Sequence, residues 1–246
     1  KILPRRNYII RRASNLSKES HIIAANVDQA FLVVSLFLPS TNCEFIDRFL
    51  VTAEAYRIPV TLLLNKCDLY ATDALQDAQT EFLKIYRSAG YEVIELSATQ
   101  QTGIDAFKKM LPGKTSLLSG NSGVGKSTLI RAIDPSLEVR VGEVSDAHHK
   151  GRHTTTFSEM YPLAGGGYLI DTPGIKGFGL IDIENDEICR YFPDLFRYAP
   201  RCGYYNCTHT HEPACAVREA LRAGEIGLSR YESYLKLLDD DQKYRK

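Results

Sequence analysis

A glycine-rich octapeptide, Gly120-Asn121-Ser122-Gly123-Val124-Gly125-Lys126-Ser127, fits the pattern G-x-x-x-x-G-K-[ST]. Such a loop can cradle phosphates only where a strand runs into it and a helix leaves it. Here TSLLS reads as the strand, and TLIRAI, beginning at Thr128, carries the helical pattern. The glycines let successive backbone N–H groups wrap a β-phosphate, Lys126 reaches toward the β- and γ-phosphates, and Ser127 offers a hydroxyl to magnesium. A glycine-rich turn without a nucleotide is the competing reading, and the strand-loop-helix context weighs against it.

The rest of the chain has the rhythm that such a loop requires. FLVVSLFL (residues 31–38) reads as a buried strand, followed by helix-like CEFIDRFLVTAEAYR, the strand VTLLL, and a helix through QDAQTEFLKIYRSAG that stops at Gly90. YEVIELS is a further strand and TGIDAFKKML a further helix, while TFSEMYPL and GGYLIDT pair as strands around the turn AGGG. Strand and helix in alternation predict an α/β fold, a doubly wound and mostly parallel sheet with helices on both faces. Ligands of such sheets bind beyond the carboxyl ends of the strands, where each motif discussed here falls.

Asp171-Thr172-Pro173-Gly174 closes the strand YLI, where the Asp171 carboxylate can approach magnesium through water and the Gly174 N–H can sense a γ-phosphate. Between the two motifs lies SDAHHKGRHTTT, a polar stretch expected to be ordered only by nucleotide. One of its threonines, Thr155 with Thr154 as the alternative, would complete the magnesium shell. Upstream, Asn65-Lys66-Cys67-Asp68 has the spacing by which many GTPases recognise guanine. Asp68 can accept from the two donors of the base edge, Lys66 can lay its stem along the ring, and Asn65 can brace neighbouring loops. Ser97-Ala98, at the end of the following strand, can present a backbone N–H to the guanine O6.

The order is therefore base, base, phosphate, magnesium, switch, whereas the usual order begins with phosphate. A doubly wound sheet tolerates joined termini and a new opening elsewhere. The chain reads as a circularly permuted GTPase.

At 246 residues and 44% hydrophobic, the chain can bury a substantial core in one or two domains. Its formal net charge is zero, so a nucleic-acid partner would have to meet a local basic patch. KILPRRNYIIRR is one candidate, and a solvated chain end accounts for it equally well. No apolar run approaches the roughly 20 residues needed to span a bilayer, and no signal-peptide pattern opens the chain, so we expect a cytoplasmic protein with no membrane partner. Cys43, Cys67 and Cys189 are scattered and read as buried free thiols. Cys202, Cys207 and Cys215 crowd into CGYYNCTHTHEPAC with His209 and His211, a set that can supply a closed tetrahedral zinc shell of three thiolates and one imidazole. Four protein ligands leave no open position, so the zinc would be structural.

The motifs NKCDL, ELSA, SGNSGVGKSTL, KGRHTTT and LIDTPGIKGFGL, together with IIAANVDQ and the cysteine cluster, make the chain similar to the RsgA (YjeQ) family of ribosome small subunit-dependent GTPases. The resemblance covers nearly the whole chain. It implies a GTP hydrolase that acts in late maturation of the small (30S) subunit, is stimulated by docking there, and binds its rRNA. It also implies zinc on Cys202, Cys207, His209 and Cys215, with His209 preferred over His211. Magnesium with GTP, GDP as product and a monomer complete the expectation. The family's N-terminal oligonucleotide-binding barrel is missing here except for its expected tail, ILPRRNYIIRRAS. The implied division is a tail at residues 1–20, the permuted GTPase domain at 21–178 and a helical zinc-binding domain at 179–246, whose basic and tyrosine residues suit RNA docking.

Catalysis leaves one role open. Many GTPases place a glutamine after the switch glycine, but Gly174 is followed by Ile175, which cannot hold a water. The nearest candidate in sequence, and the one the family resemblance indicates, is His153, with Arg152 and His149 as rivals and a solvated loop histidine as the plain alternative. An ATPase with the same phosphate loop is disfavoured by NKCD and SA.

Overall fold

The computed structural model describes residues 4–12, 20–137, 158–172 and 183–244. The chain opens with an antiparallel ribbon of β1 (Tyr8–Arg12) and β2 (Ser20–Ala25), then alternates β3 (Gln29–Val34), α1 (Cys43–Ala55), β4 (Val60–Leu64), α2 (Asp73–Ser88), β5 (Glu92–Glu95), α3 (Ile104–Lys109), β6 (Thr115–Gly120) and α4 (Lys126–Ile133). After the next undescribed segment come β7 (Glu159–Pro162) and β8 (Tyr168–Asp171). The main sheet has the order β5-β4-β3-β6-β8-β7, parallel throughout except for β7, which pairs antiparallel with β8.

The chain steps outward from β3 to β4 to β5, then returns to place β6 on the other side of β3. That reversal creates a crevice beyond the carboxyl ends of β3 and β6, where α/β sheets bind ligands. The parallel strands are apolar on both faces because helices cover both. Leu32 and Val34 of β3 join Phe49 of α1 and Tyr86 of α2 in one core. Phe31 and Val33, pointing the other way, join Phe107 of α3 and Leu129 of α4 in a second core. Asn42 caps α1 by accepting from the Glu44 N–H at 2.8 Å, and Thr72 does the same for α2 through Leu75.

The ribbon belongs to the first core, because Ile9 and Ala24 are buried in it and the Tyr8 ring lies 4.7 Å from that of Tyr56. The division expected between residues 20 and 21 cuts this ribbon, with β1 and Ser20 on one side and the rest of β2 on the other.

The C-terminal segment is helical as the sequence predicts, but in shorter pieces. A 3-10 turn at Ile188–Tyr191 gives way to α5 (Pro193–Phe196), since Phe192, held extended before a proline, cannot continue the helix and Pro193 takes the first helical position. The segment's last stretch divides into α6 (Ala216–Arg222) and α7 (Leu228–Tyr244). Gly224, at φ +73°, makes the break: its N–H bonds the Leu221 carbonyl and the Glu225 N–H bonds that of Ala220, the paired bonds of a Schellman stop. The other correction concerns the strand expected over residues 31–38. It ends at Val34, where Ser35 and Thr41 tie off a loop through Thr41 N–H to Ser35 O at 2.7 Å and Ser35 N–H to Thr41 Oγ1 at 3.1 Å.

Candidate functional site

The phosphate-loop residues sit where the crevice opens, with β6 ending at Gly120 and α4 beginning at Lys126. A Cβ built on Gly125, which holds φ +103°, would run into the Asn65 side-chain amide. Gly120 likewise lies against the Val33 carbonyl of the neighbouring strand. Two glycines are thus dictated by close approach, as the pattern predicts. Lys126 Nζ donates to the carbonyls of Gly120 at 2.7 Å and Asn121 at 3.1 Å, so the ammonium is held inside the loop it closes. Burial pushes its pKa down while the nearby Asp171 carboxylate opposes that shift.

The residues expected to read the base stand at the adjacent strand ends. Asn65 is buried and bridges two loops, its amide donating to the Val124 carbonyl at 2.9 Å and its oxygen accepting the Ala98 N–H at 3.1 Å. One side chain therefore joins the phosphate loop, the NKCD turn and the Ser97-Ala98 turn. Lys66, in the left-handed region at φ +66°, donates to the Leu38 carbonyl and to Gly123 O at 2.9 Å, which lays its stem across the opening. Burial lowers its pKa, and Asp68 pulls the other way. Asp68 Oδ1 is buried with no hydrogen-bond partner among the described residues, an orphaned acceptor that suits a donor-bearing base edge. Of the two backbone N–H groups of Ser97-Ala98, one of which is expected to face O6, that of Ala98 is engaged by Asn65 and that of Ser97 bonds Thr102 O at 3.0 Å.

Asp171 ends β8, with its Cα partner Glu159 on β7 across the pair. Burial raises its carboxyl to about 6, against the lowering pull of Lys126, and Glu159 adds a smaller push upward. Its Oδ1 is also buried without a partner among the described residues. The buried, unpartnered Asp171 oxygen is a hard oxygen ligand of the kind a divalent cation such as magnesium takes. His153, Thr155, Thr154, Gly174, Ile175, Arg152 and His149 lie outside the described residues.

The second cluster is Cys202, Cys207, His209 and Cys215, whose ligand atoms all lie within 4.8 Å of one another. His209 Nδ1 is 3.6 Å from Cys202 Sγ and 3.5 Å from Cys215 Sγ, and those two sulfurs are 3.9 Å apart. A tetrahedron with bonds of about 2.3 Å to sulfur and about 2.0 Å to nitrogen requires edges of about 3.8 and 3.5 Å, so the spacing fits zinc. Without a cation, burial keeps these groups as neutral thiols, pushing Cys207 up to about 12 and raising Cys215 as well, whereas a bound metal would hold them as thiolates. His211 is exposed and turned to Thr210 Oγ1 at 2.8 Å, outside the cluster. Tyr231 holds the backbone of His209 in place, donating to its carbonyl at 2.6 Å.

Two contributors were missed from sequence. Tyr70 donates to the Asn65 carbonyl at 2.8 Å and accepts the Leu36 N–H at 2.9 Å, pinning the loop after β3 to the base-reading turn. Nothing in its context marks it. Pro39, in that loop, packs against the Gly123 position.

A family model described as RsgA GTPase matches residues 2–181. The small ribosomal subunit biogenesis GTPase RsgA of Phocaeicola vulgatus is 56% identical over 243 residues, covering 98% of this chain and 78% of that protein. RsgA 2 of Bacteroides thetaiotaomicron has the same identity and coverage. The crystal structure of YjeQ from Thermotoga maritima aligns with a TM-score of 0.79 at 37% identity, covering 98% of this chain and 77% of that one. That of YloQ, a circularly permuted GTPase, aligns at 0.74 with 31% identity, covering 100% and 83%.

Proposed function

The chain belongs to the RsgA GTPase family, and from that membership we propose that it hydrolyses GTP in the maturation of the small ribosomal subunit, with turnover stimulated by docking on that subunit and its rRNA. It is a GTPase, a hydrolase acting on GTP. The observation that carries the site assignment is Asn65, which ties the phosphate loop to the Ser97-Ala98 turn although it precedes its loop partner, Val124, by 59 residues.

In this reading Gly120 to Thr128 hold the phosphates and Lys126 supplies positive charge to them, while Asp68, Lys66 and the Ser97-Ala98 turn select guanine. Ser127, Thr155 and Asp171 would hold magnesium, which when bound neutralises charge on the β- and γ-phosphates. Gly174 reads the γ-phosphate, and His153 orients the attacking water once the subunit has ordered its loop. Cys202, Cys207, His209 and Cys215 hold one structural zinc. The division at 1–20, 21–178 and 179–246, a monomeric state and a cytoplasmic location belong to the same reading. No helix among the described residues is long and apolar enough to cross a membrane.

Single-turnover GTP hydrolysis with and without saturating small subunits tests it. Wild type should speed up on the subunit, and His153→Ala should bind GTP and subunit normally, keep the slow intrinsic rate and lose most of the stimulation. Equal stimulated rates in the two proteins would remove His153 from the mechanism. No stimulation of wild type would remove the ribosomal role.

A further inference from the structure

Away from the nucleotide and metal clusters, a group of charged side chains lies buried between the two halves of the molecule. Arg230 of α7 is fully buried and donates to both carboxylate oxygens of Asp194 on α5, at 2.7 and 3.1 Å, and to Asp47 Oδ1 on α1 at 2.8 Å. Tyr86 of α2 donates to the same Asp47 oxygen at 3.1 Å, and the guanidinium lies over the Phe192 ring, 4.6 Å from its centroid. Taking three charges out of water costs about as much as their pairing returns, so an apolar contact would hold these helices together equally well. What the charges add is geometry. The two-pronged bond fixes α7 against α5, and the third bond fixes that pair against α1.

The N-terminal end of α1, the end that carries Asp47, adjoins the nucleotide site. Its cap, Asn42, follows the loop whose Leu38 carbonyl accepts from Lys66 Nζ and whose Pro39 packs against Gly123 of the phosphate loop. Asp47 lies five residues beyond the cap, about 7.5 Å along a rigid helix. A shift of the loop on nucleotide exchange must therefore move Asp47 relative to Arg230 or carry the whole C-terminal domain with it, because packed interfaces hold discrete arrangements and do not stretch.

We propose that Asp47, Arg230 and Asp194 form an interdomain latch through which the nucleotide bound at the phosphate loop and the seating of the metal-cluster domain control one another, with α1 as the connecting rod. The inference rests on the reading of residues 120–128 as the nucleotide site. Coupling of this kind is reciprocal: if nucleotide changes the latch, the latch changes nucleotide affinity by the same factor.

Hydrogen–deuterium exchange on the full chain, alone, with GDP and with a non-hydrolysable GTP analogue, tests it alongside a titration with fluorescent GDP. Amides of α5 and of α7 around residue 230 should exchange differently in the GDP and analogue states. That difference should vanish in the triple variant Asp47→Asn, Arg230→Met, Asp194→Asn, which removes the charges and keeps the bulk, and its GDP affinity should shift about fivefold or more. Identical α5 and α7 exchange in both states of a wild type that binds fluorescent GDP overturns the latch. Absence of GDP binding overturns the site reading instead. An undiminished nucleotide response in the triple variant also overturns the latch. Should that variant not fold, Arg230→Lys, which keeps the charge and loses the fork, decides in its place: a wild-type response there overturns the proposal.

Discussion

Asp68 and Asp171 each present a buried oxygen with no partner among the described residues, and each orphan has a chemical consequence. For Asp68 the consequence is base choice. Asp68→Asn should weaken GTP binding by about 2–3 kcal/mol, because an amide cannot accept from both guanine donors, and should favour a xanthine nucleotide, whose 2-oxo group accepts where guanine donates. Competition titrations with the two nucleotides check this, and an unchanged GTP affinity would cancel the assignment. For Asp171 the consequence is pH dependence. Its folded pKa, about 6, lies above the 3.8 of a free aspartate, so burial favours the neutral form and the folded chain binds the extra proton between those values. This group therefore destabilises the nucleotide-free protein as pH rises through 6, by no more than about 3 kcal/mol from a 2-unit shift. Magnesium-dependent nucleotide binding should run the other way, since the cation needs the carboxylate, and should weaken as pH falls below about 6. Thermal melts and magnesium titrations at pH 5 and 7.5 should show opposite trends. A magnesium requirement unchanged between the two would detach Asp171 from the metal.

At the scale of elements, the strands that build the crevice were legible because burial on both faces leaves an unbroken apolar signature: VTLLL is β4 without adjustment. The stops were less legible. The apolar residues of FLVVSLFL continue past the strand, and the Ser35–Thr41 hydrogen bonds, with the distant Tyr70 hydroxyl on the Leu36 N–H, turn the chain there. The phosphate loop could be read because its glycines answer to local geometry. Gly125→Ala puts this to the test: the new methyl would meet the Asn65 amide, and alanine would have to hold φ +103°. The strain should cost about 1–3 kcal/mol of stability. Nucleotide affinity should fall further than stability does, since the displaced Asn65 also organises the Ala98 turn. Chemical denaturation and GDP titration of the same variant separate the two effects, and a variant that loses stability but keeps its affinity would show that Asn65 does not organise the site.

For the molecule as a whole, the division of labour follows from its cores. The sheet has two of its own, one on each face, whereas the C-terminal helices share a third that takes in Cys202, Cys207 and Cys215 and includes Val51 of α1. The cysteines were legible from their crowding in sequence. The Arg230 cluster was not, because Arg230 and Asp47 are 183 residues apart and each alone reads as an ordinary charge on a helix. A small core that includes three thiols depends on whatever holds those thiols together, and a bound cation can supply that only in the folded state, so its binding energy becomes folding energy for this part of the chain. Cys207→Ser, or a strong chelator, should therefore release one equivalent of zinc and lower the melting of α5, α6 and α7 while leaving the sheet folded and GDP bound. In calorimetry the wild type should melt at a higher temperature than the variant, and the variant should show a separate early transition from the C-terminal helices. A full equivalent of zinc retained by a Cys207→Ser, Cys215→Ser double variant would rule the cluster out as the metal site. Loss of GDP binding together with the metal would show instead that the sheet cannot stand without the domain latched to α1.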